Sequence, residues 1–172
     1  MLNKNNILII VPAILLSLSV ISFAGPHTIA FGYRQHIDNS TFESLPFGDG
    51  DPSYTFAYEY HEGAGYWQIA IDYATDITGT NNINSVITPQ LNLITEDHGL
   101  KFGIGMLQSY IDNEIEGSDW LNLYWQFISG FTVPLGSMRI DFLFYYAFKD
   151  WGEVNEFDFG DVDYAALLTY RF

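Results

Sequence analysis

Between residues 27 and 172 the chain alternates apolar and polar side chains with a period of two in eight separate stretches, the spacing of β-strands that each carry one apolar face. The expected strands cover 27–37, 53–61, 66–75, 85–95, 100–111, 120–131, 138–149 and 162–172. The seventh is the clearest: Met138, Ile140, Phe142, Phe144, Tyr146 and Phe148 oppose Arg139, Asp141, Leu143, Tyr145, Ala147 and Lys149. Connections after the odd-numbered stretches are long, about 8 to 15 residues, and rich in Asp, Gly, Asn and Pro; those after the even-numbered ones are about four to six. Strands of this length suit a tilted transmembrane strand of roughly 9–11 residues. Pro89 falls inside the fourth stretch and cannot donate to a ladder, which predicts a bulge there.

The front of the chain follows another pattern. Lys4 precedes an apolar run from Ile7 to Ile21, and Ser22-Phe23-Ala24 offers small residues for cleavage, so residues 1–24 read as a secretory signal peptide and 25–172 as the folded domain. The run is about 15 residues, short of the roughly 20 that span a bilayer as a helix. Beyond it the chain has no apolar stretch of helix-spanning length, yet it holds 14 Phe, 12 Tyr and 4 Trp. Only helices or closed barrels satisfy every backbone group inside a bilayer, so exported, aromatic strands point to a barrel. Cysteine is absent, and closure of the sheet takes the place of disulfides.

Volume decides which face looks out. An eight-stranded barrel has an interior just wide enough for its own side chains, and the apolar set is too large to fit. Charge agrees: Arg34, Lys101, Arg139, Lys149 and Arg171 all fall on the mixed face, as do Glu59, Asp72, Asp141 and Asp163. One cation on the lipid face would cost roughly 2–4 kcal/mol at mid-bilayer. The mixed face is therefore the expected lumen, with Arg34, Lys101, Arg139 and Arg171 paired to Glu59, Asp72, Asp141 and Asp163. Tyr33, Trp67, Tyr73, Trp125, Tyr146, Tyr170 and Phe172, near strand ends, are expected in interfacial girdles.

The last stretch ends on Phe172 with Tyr170, Leu168, Ala166, Tyr164 and Val162 at every second position upstream. It resembles the C-terminal strand of bacterial outer-membrane barrels. The whole domain resembles the small eight-stranded family that includes OmpX and the OmpA transmembrane domain. That resemblance implies an all-β, eight-stranded antiparallel up-and-down transmembrane β-barrel in the outer membrane of a diderm bacterium. It also implies that Tyr164, Leu168, Tyr170 and Phe172 serve as an assembly signal for the barrel assembly machinery. Short periplasmic turns and long outer loops would place both termini in the periplasm.

For function the family implies roles from membrane integrity to surface adhesion. The favoured expectation is a non-enzymatic structural or surface-binding barrel surrounded by outer-membrane lipid and lipopolysaccharide, meeting an extracellular partner through its loops. The alternatives are a lipid A-modifying hydrolase or acyltransferase, and a narrow pore. The deacylases of this class carry a His-x-Ser near the C-terminus, and no histidine follows His98. His36, Asp38 and Ser40 lie close in sequence at the end of the first strand, but a triad is made by geometry and not by adjacency. The formal charge of −15 excludes nucleic acid as a partner. Most of the 21 Asp and Glu lie in or beside the long loops. Carboxylates are the ligands that calcium and magnesium prefer, which makes Asp49, Asp51, Asp158 and Asp161 candidate surface metal ligands. Loops one and four, with Phe42, Phe47, Trp151, Phe157 and Phe159 among the acids, are the expected working surface.

Overall fold

The computed structural model describes residues 26–37, 46–75, 77–78, 82–115, 117–156 and 158–172. The expected signal peptide, Asp38, Ser40, Phe42 and Phe157 lie outside them. Eight antiparallel strands join in sequence order, and the last pairs with the first to close a barrel. They are β1 His27–Gln35, β2 Pro52–Glu62, β3 Gly65–Thr75, β4 Ile83–Asp97, β5 Leu100–Asn113, β6 Gly117–Leu135, β7 Met138–Phe148 and β8 Asp163–Arg171.

The connections at one end are tighter than expected, two residues each. Gly63 and Gly136 open theirs with φ of 64°, and His98 and Gly99 take φ of 50° and 81°, the positive values that two-residue hairpins require. At the other end β5 and β6 run on past the barrel. The outermost β6–β7 pair is Trp125 with Phe148, so β6 from Gly117 to Tyr124 is paired only with β5. Much of the expected loop 112–119 is thus strand. Its polar residues carry no alternation because water lies on both sides of it.

Register fixes the faces. Tyr33, Tyr54, Tyr73, Ile87 and Tyr110 follow one another from ladder to ladder as a row on the outer wall, with Tyr54 more than half exposed, and the row ends at Trp120 on the ribbon that runs past the barrel. Phe31, Ile69 and Phe102 stand on the same wall, also more than half exposed. So continuous an apolar exterior is tolerable only against hydrocarbon. The chain is a closed eight-stranded antiparallel barrel whose outer wall suits the hydrocarbon of a membrane. No helix among the described residues is long and apolar enough to cross a membrane.

Two local expectations change. Register through Pro89 runs unbroken from Ile87–Tyr110 to Gln90–Leu107, so no bulge forms there. Irregularities occur instead between Ile83 and Ser85, and between Gln108 and Tyr110, where β6 carries the extra residue and Leu121 O accepts from Gln108 Nε2 at 2.9 Å. That shift brings Trp120 onto the outward face, 5.1 Å from the Tyr110 ring. The expected loop 150–161 contains two short 3-10 turns, Trp151–Glu156 and Phe159–Asp161.

Candidate functional site: a sealed lumen and two rims

The lumen is filled by one connected set of polar side chains. Near the long-loop end Arg34 reaches Asp72 at 3.2 Å and Asp163 at 2.9 Å, with its guanidinium 4.2 Å from the centre of the Tyr145 ring. Asp72 also accepts from Thr55 Oγ1 at 2.6 Å and from Gln90 Nε2. From there the chain of bonds descends: Gln126 Nε2 donates to Gln90 and Asn92 at 2.8 Å, Asn92 to Gln68 at 2.9 Å, and Gln68 to Glu59 at 3.0 Å. Gly105 makes room for this crossing, because a Cβ there would collide with the Asn92 carboxamide.

A second ion cluster closes the short-turn end. Arg139 reaches Glu59 at 3.0 Å, Glu96 at 3.3 Å and Asp141 at 3.6 Å; Lys101 reaches Asp141 at 2.8 Å and Glu96 at 3.5 Å and donates to Tyr66 Oη at 3.0 Å. Tyr66, Ile94, Ile128, Leu143 and Leu167 are buried in one cluster in the interior, and Tyr124 is buried in another with Leu107. The interior thus holds large apolar side chains beside its charges. Buried charges survive only when paired and hydrogen-bonded, and each lumen charge named here is.

The structure brings together Arg34, Asp72 and Asp163 in one group and Glu59, Lys101, Arg139 and Asp141 in another. Arg171 is not among them: it is exposed at the end of β8 and makes no ion pair among the described residues. Glu96, expected in a periplasmic turn, replaces it as a network member, because β4 continues to Asp97 and keeps Glu96 on the inward parity of Asn92 and Ile94. His61 lies 3.1 Å from both Glu59 Oε2 and Thr28 Oγ1.

His36 has partners that its sequence neighbours did not suggest. Its Nδ1 is 2.8 Å from Asp163 Oδ2 and its Nε2 is 3.0 Å from Ser53 Oγ, the connectivity of a serine hydrolase triad. Ser53 is 0% exposed, however, and the Phe47 ring stacks on His36 at 3.6 Å between centroids. Asp163 accepts in addition from Arg34 Nε at 3.0 Å and Ile37 N at 2.9 Å. As folded, the group ties the end of β1 to β2 and β8, and Ser53 is enclosed.

Two of the four acids expected to hold metal, Asp51 and Asp158, bond to the loops themselves. Asp51 is buried and accepts from Gly48 N at 2.7 Å, Thr78 N at 3.0 Å and Thr78 Oγ1 at 2.6 Å, pinning the first long loop to the second. Asp158 caps the second 3-10 turn by accepting from Gly160 N at 2.8 Å. Asp49 is exposed and Asp161 half-buried. Among the described residues no three acids or histidines are grouped closely enough to hold an ion. At the C-terminus, Tyr164, Leu168, Tyr170 and Phe172 all point to the outer wall, and Phe172 packs 6.4 Å from Tyr170 and 6.1 Å from His27.

No family model and no curated protein matches the chain. Among solved structures it is similar to Ail, the attachment invasion locus protein of Yersinia pestis, at 14% identity and a TM-score of 0.46 over 86% of this chain and 99% of that one. The structure of Ail in complex with the heparin analogue sucrose octasulfate matches at 14% identity and a TM-score of 0.44, with the same coverage.

Proposed function

We propose that this is a non-enzymatic outer-membrane protein, its termini in the periplasm, that binds an extracellular partner through the long-loop rim. The observation that carries this reading is the β5–β6 ribbon. Among the described residues, β6 from Gly117 to Leu123 pairs with β5 and not with β7; Trp120 and Leu123 on it are about half exposed, and Ile115 at the tip is 74% exposed. An unpaired strand edge is a template for a strand from another chain. Asp112, Glu114 and Asp119 line the ribbon, so the partner that fits is an extended, basic segment. A polysulfated sugar of the kind bound to Ail does not fit so acidic a rim.

The first and fourth loops, expected to be the working surface, support this one: the first is pinned by Asp51 and the last lies against the barrel wall. Calcium or magnesium bridging Asp49 and other rim acids to lipopolysaccharide remains part of the proposal, as does delivery by the barrel assembly machinery through the C-terminal strand.

Surface display tests the reading. Cells producing the protein should bind an immobilised basic β-strand peptide, and Leu123→Pro should abolish that binding while the barrel still folds. Equal binding by both would refute the edge, and mass-spectrometric loss or gain of a lipid A acyl chain in these cells would favour an enzyme.

A further inference from the structure

Tyr146 and Phe148 continue the outward row of β7, since they pair with the outward Phe127 and Trp125, yet they are 4% and 0% exposed. Their own chain covers them. Trp151 sits edge-on to Phe148 at 5.1 Å and to Phe127 at 6.0 Å and leans on Trp125 at 5.7 Å, and Val154 and Val162 pack against the same cluster. The connection after β7 therefore folds back over the outside of the barrel and does not stand in water. Tyr146 is accordingly not a girdle residue.

Below that cover lies a groove of about 600 Å³ walled by Phe102, Phe127, Phe144, Tyr146, Phe159 and Val162. Its floor exists because Ser129 stands between Phe102 and Phe144 in the same ladder row, one small outward side chain between two large ones. The Phe159 ring, on the loop side, is 84% exposed.

We infer that this groove is a seat for one acyl chain of a bilayer lipid, held between the barrel wall and the folded 150–162 connection. The groove is continuous with the lipid-facing wall and presents almost only carbon. The backbone of Gly103, Ile128 and Ser129 beneath it is already paired in the ladders, so an extended peptide laid there would leave its own polar groups unsatisfied. A hydrocarbon chain has none to satisfy. Filling the groove buries Phe159 and removes the gap beside Ser129, which a flat wall would give to exchanging lipid. The claim rests on the transmembrane reading of the fold and is independent of any partner at the rim.

The test uses refolded barrel in phosphatidylcholine vesicles with a rising fraction of lipid brominated on its acyl chains, which quenches nearby tryptophan. Two single-tryptophan proteins are compared: one keeps Trp151 beside the groove, the other keeps Trp67 on β3, four strands away and half exposed. Residual fluorescence should be lower for Trp151 at every brominated fraction. Ser129→Leu, which fills the floor, and Phe159→Ser, which lies outside the ladder and removes the loop wall, should each bring Trp151 to the Trp67 curve. Equal quenching in the parent proteins, or excess quenching that survives both substitutions, would overturn the proposal.

Discussion

Arg34 on β1 and Asp163 on β8 stand 2.9 Å apart across the seam where the first strand closes on the last. Asp163 simultaneously holds His36 and the Ile37 amide, so one carboxylate fastens the root of the first long loop to the barrel wall.

Removing that carboxylate leaves Arg34 short of a partner in a buried site. Asp163→Ala should cost about 3–5 kcal/mol, the usual effect of breaking a buried pair. Arg34→Ala should cost at least as much as Asp163→Ala, because it takes the cation from buried Asp72 as well as from Asp163, whereas Asp163→Ala leaves Arg34 paired to Asp72. Urea unfolding of the vesicle-inserted barrel, followed by tryptophan fluorescence, reads both values.

The bonds from Asp72 through Gln90, Gln126, Asn92 and Gln68 to Glu59 cross the lumen as one connected chain. Planar bilayer recordings should therefore show no stable steps of porin size. Single substitutions within the crossing, such as Gln126→Ala, should leave that unchanged because Tyr124 and Leu143 still fill the bore.

Ser53, His36 and Asp163 make a sharper case, since their connectivity matches a hydrolase triad. The enclosed hydroxyl predicts that a fluorophosphonate probe leaves the folded barrel unlabelled, and that Ser53→Ala behaves as the parent does. Labelling at Ser53 would mean that Phe47 leaves His36 and that the group is catalytic.

The Asp51 clasp predicts a local effect. Asp51→Ala removes the acceptor for Gly48 and both Thr78 donors, a loss of about 1–3 kcal/mol for buried polar groups left unpaired. Hydrogen exchange should accelerate at the Gly48 and Thr78 amides and stay slow in β2 and β3.

Eight alternating stretches make the strand number legible, and β7, with Arg139 and Asp141 inward and Phe142 outward, makes the faces legible, because a one-residue shift would place charge in lipid. The pairing of His36 with Asp163 was not legible: the residues are far apart in sequence, and only closure of β1 on β8 brings them together. Glu96 carries a readable signal, the inward parity of Asn92 and Ile94, but its polar neighbours Asp97, His98 and Gly99 resemble a turn. The outer end of β6 has water on both sides and so no period to detect. Trp151 and Phe159 could not be placed, since nothing in a polar, glycine-containing stretch shows that it folds back on a wall.

Assignment of the two faces underlies every other claim, and the absence of cysteine makes it directly measurable. A nitroxide attached to single cysteines at Phe31, Ile69 and Phe142, and at the inward Thr55, Gln68 and Leu143, reports collision with oxygen dissolved in the bilayer against a water-soluble nickel chelate. The outward three should favour oxygen strongly and the inward three should be shielded from both reagents. Equal access of the nickel chelate to Phe31, Ile69 and Phe142 would contradict a membrane-spanning barrel.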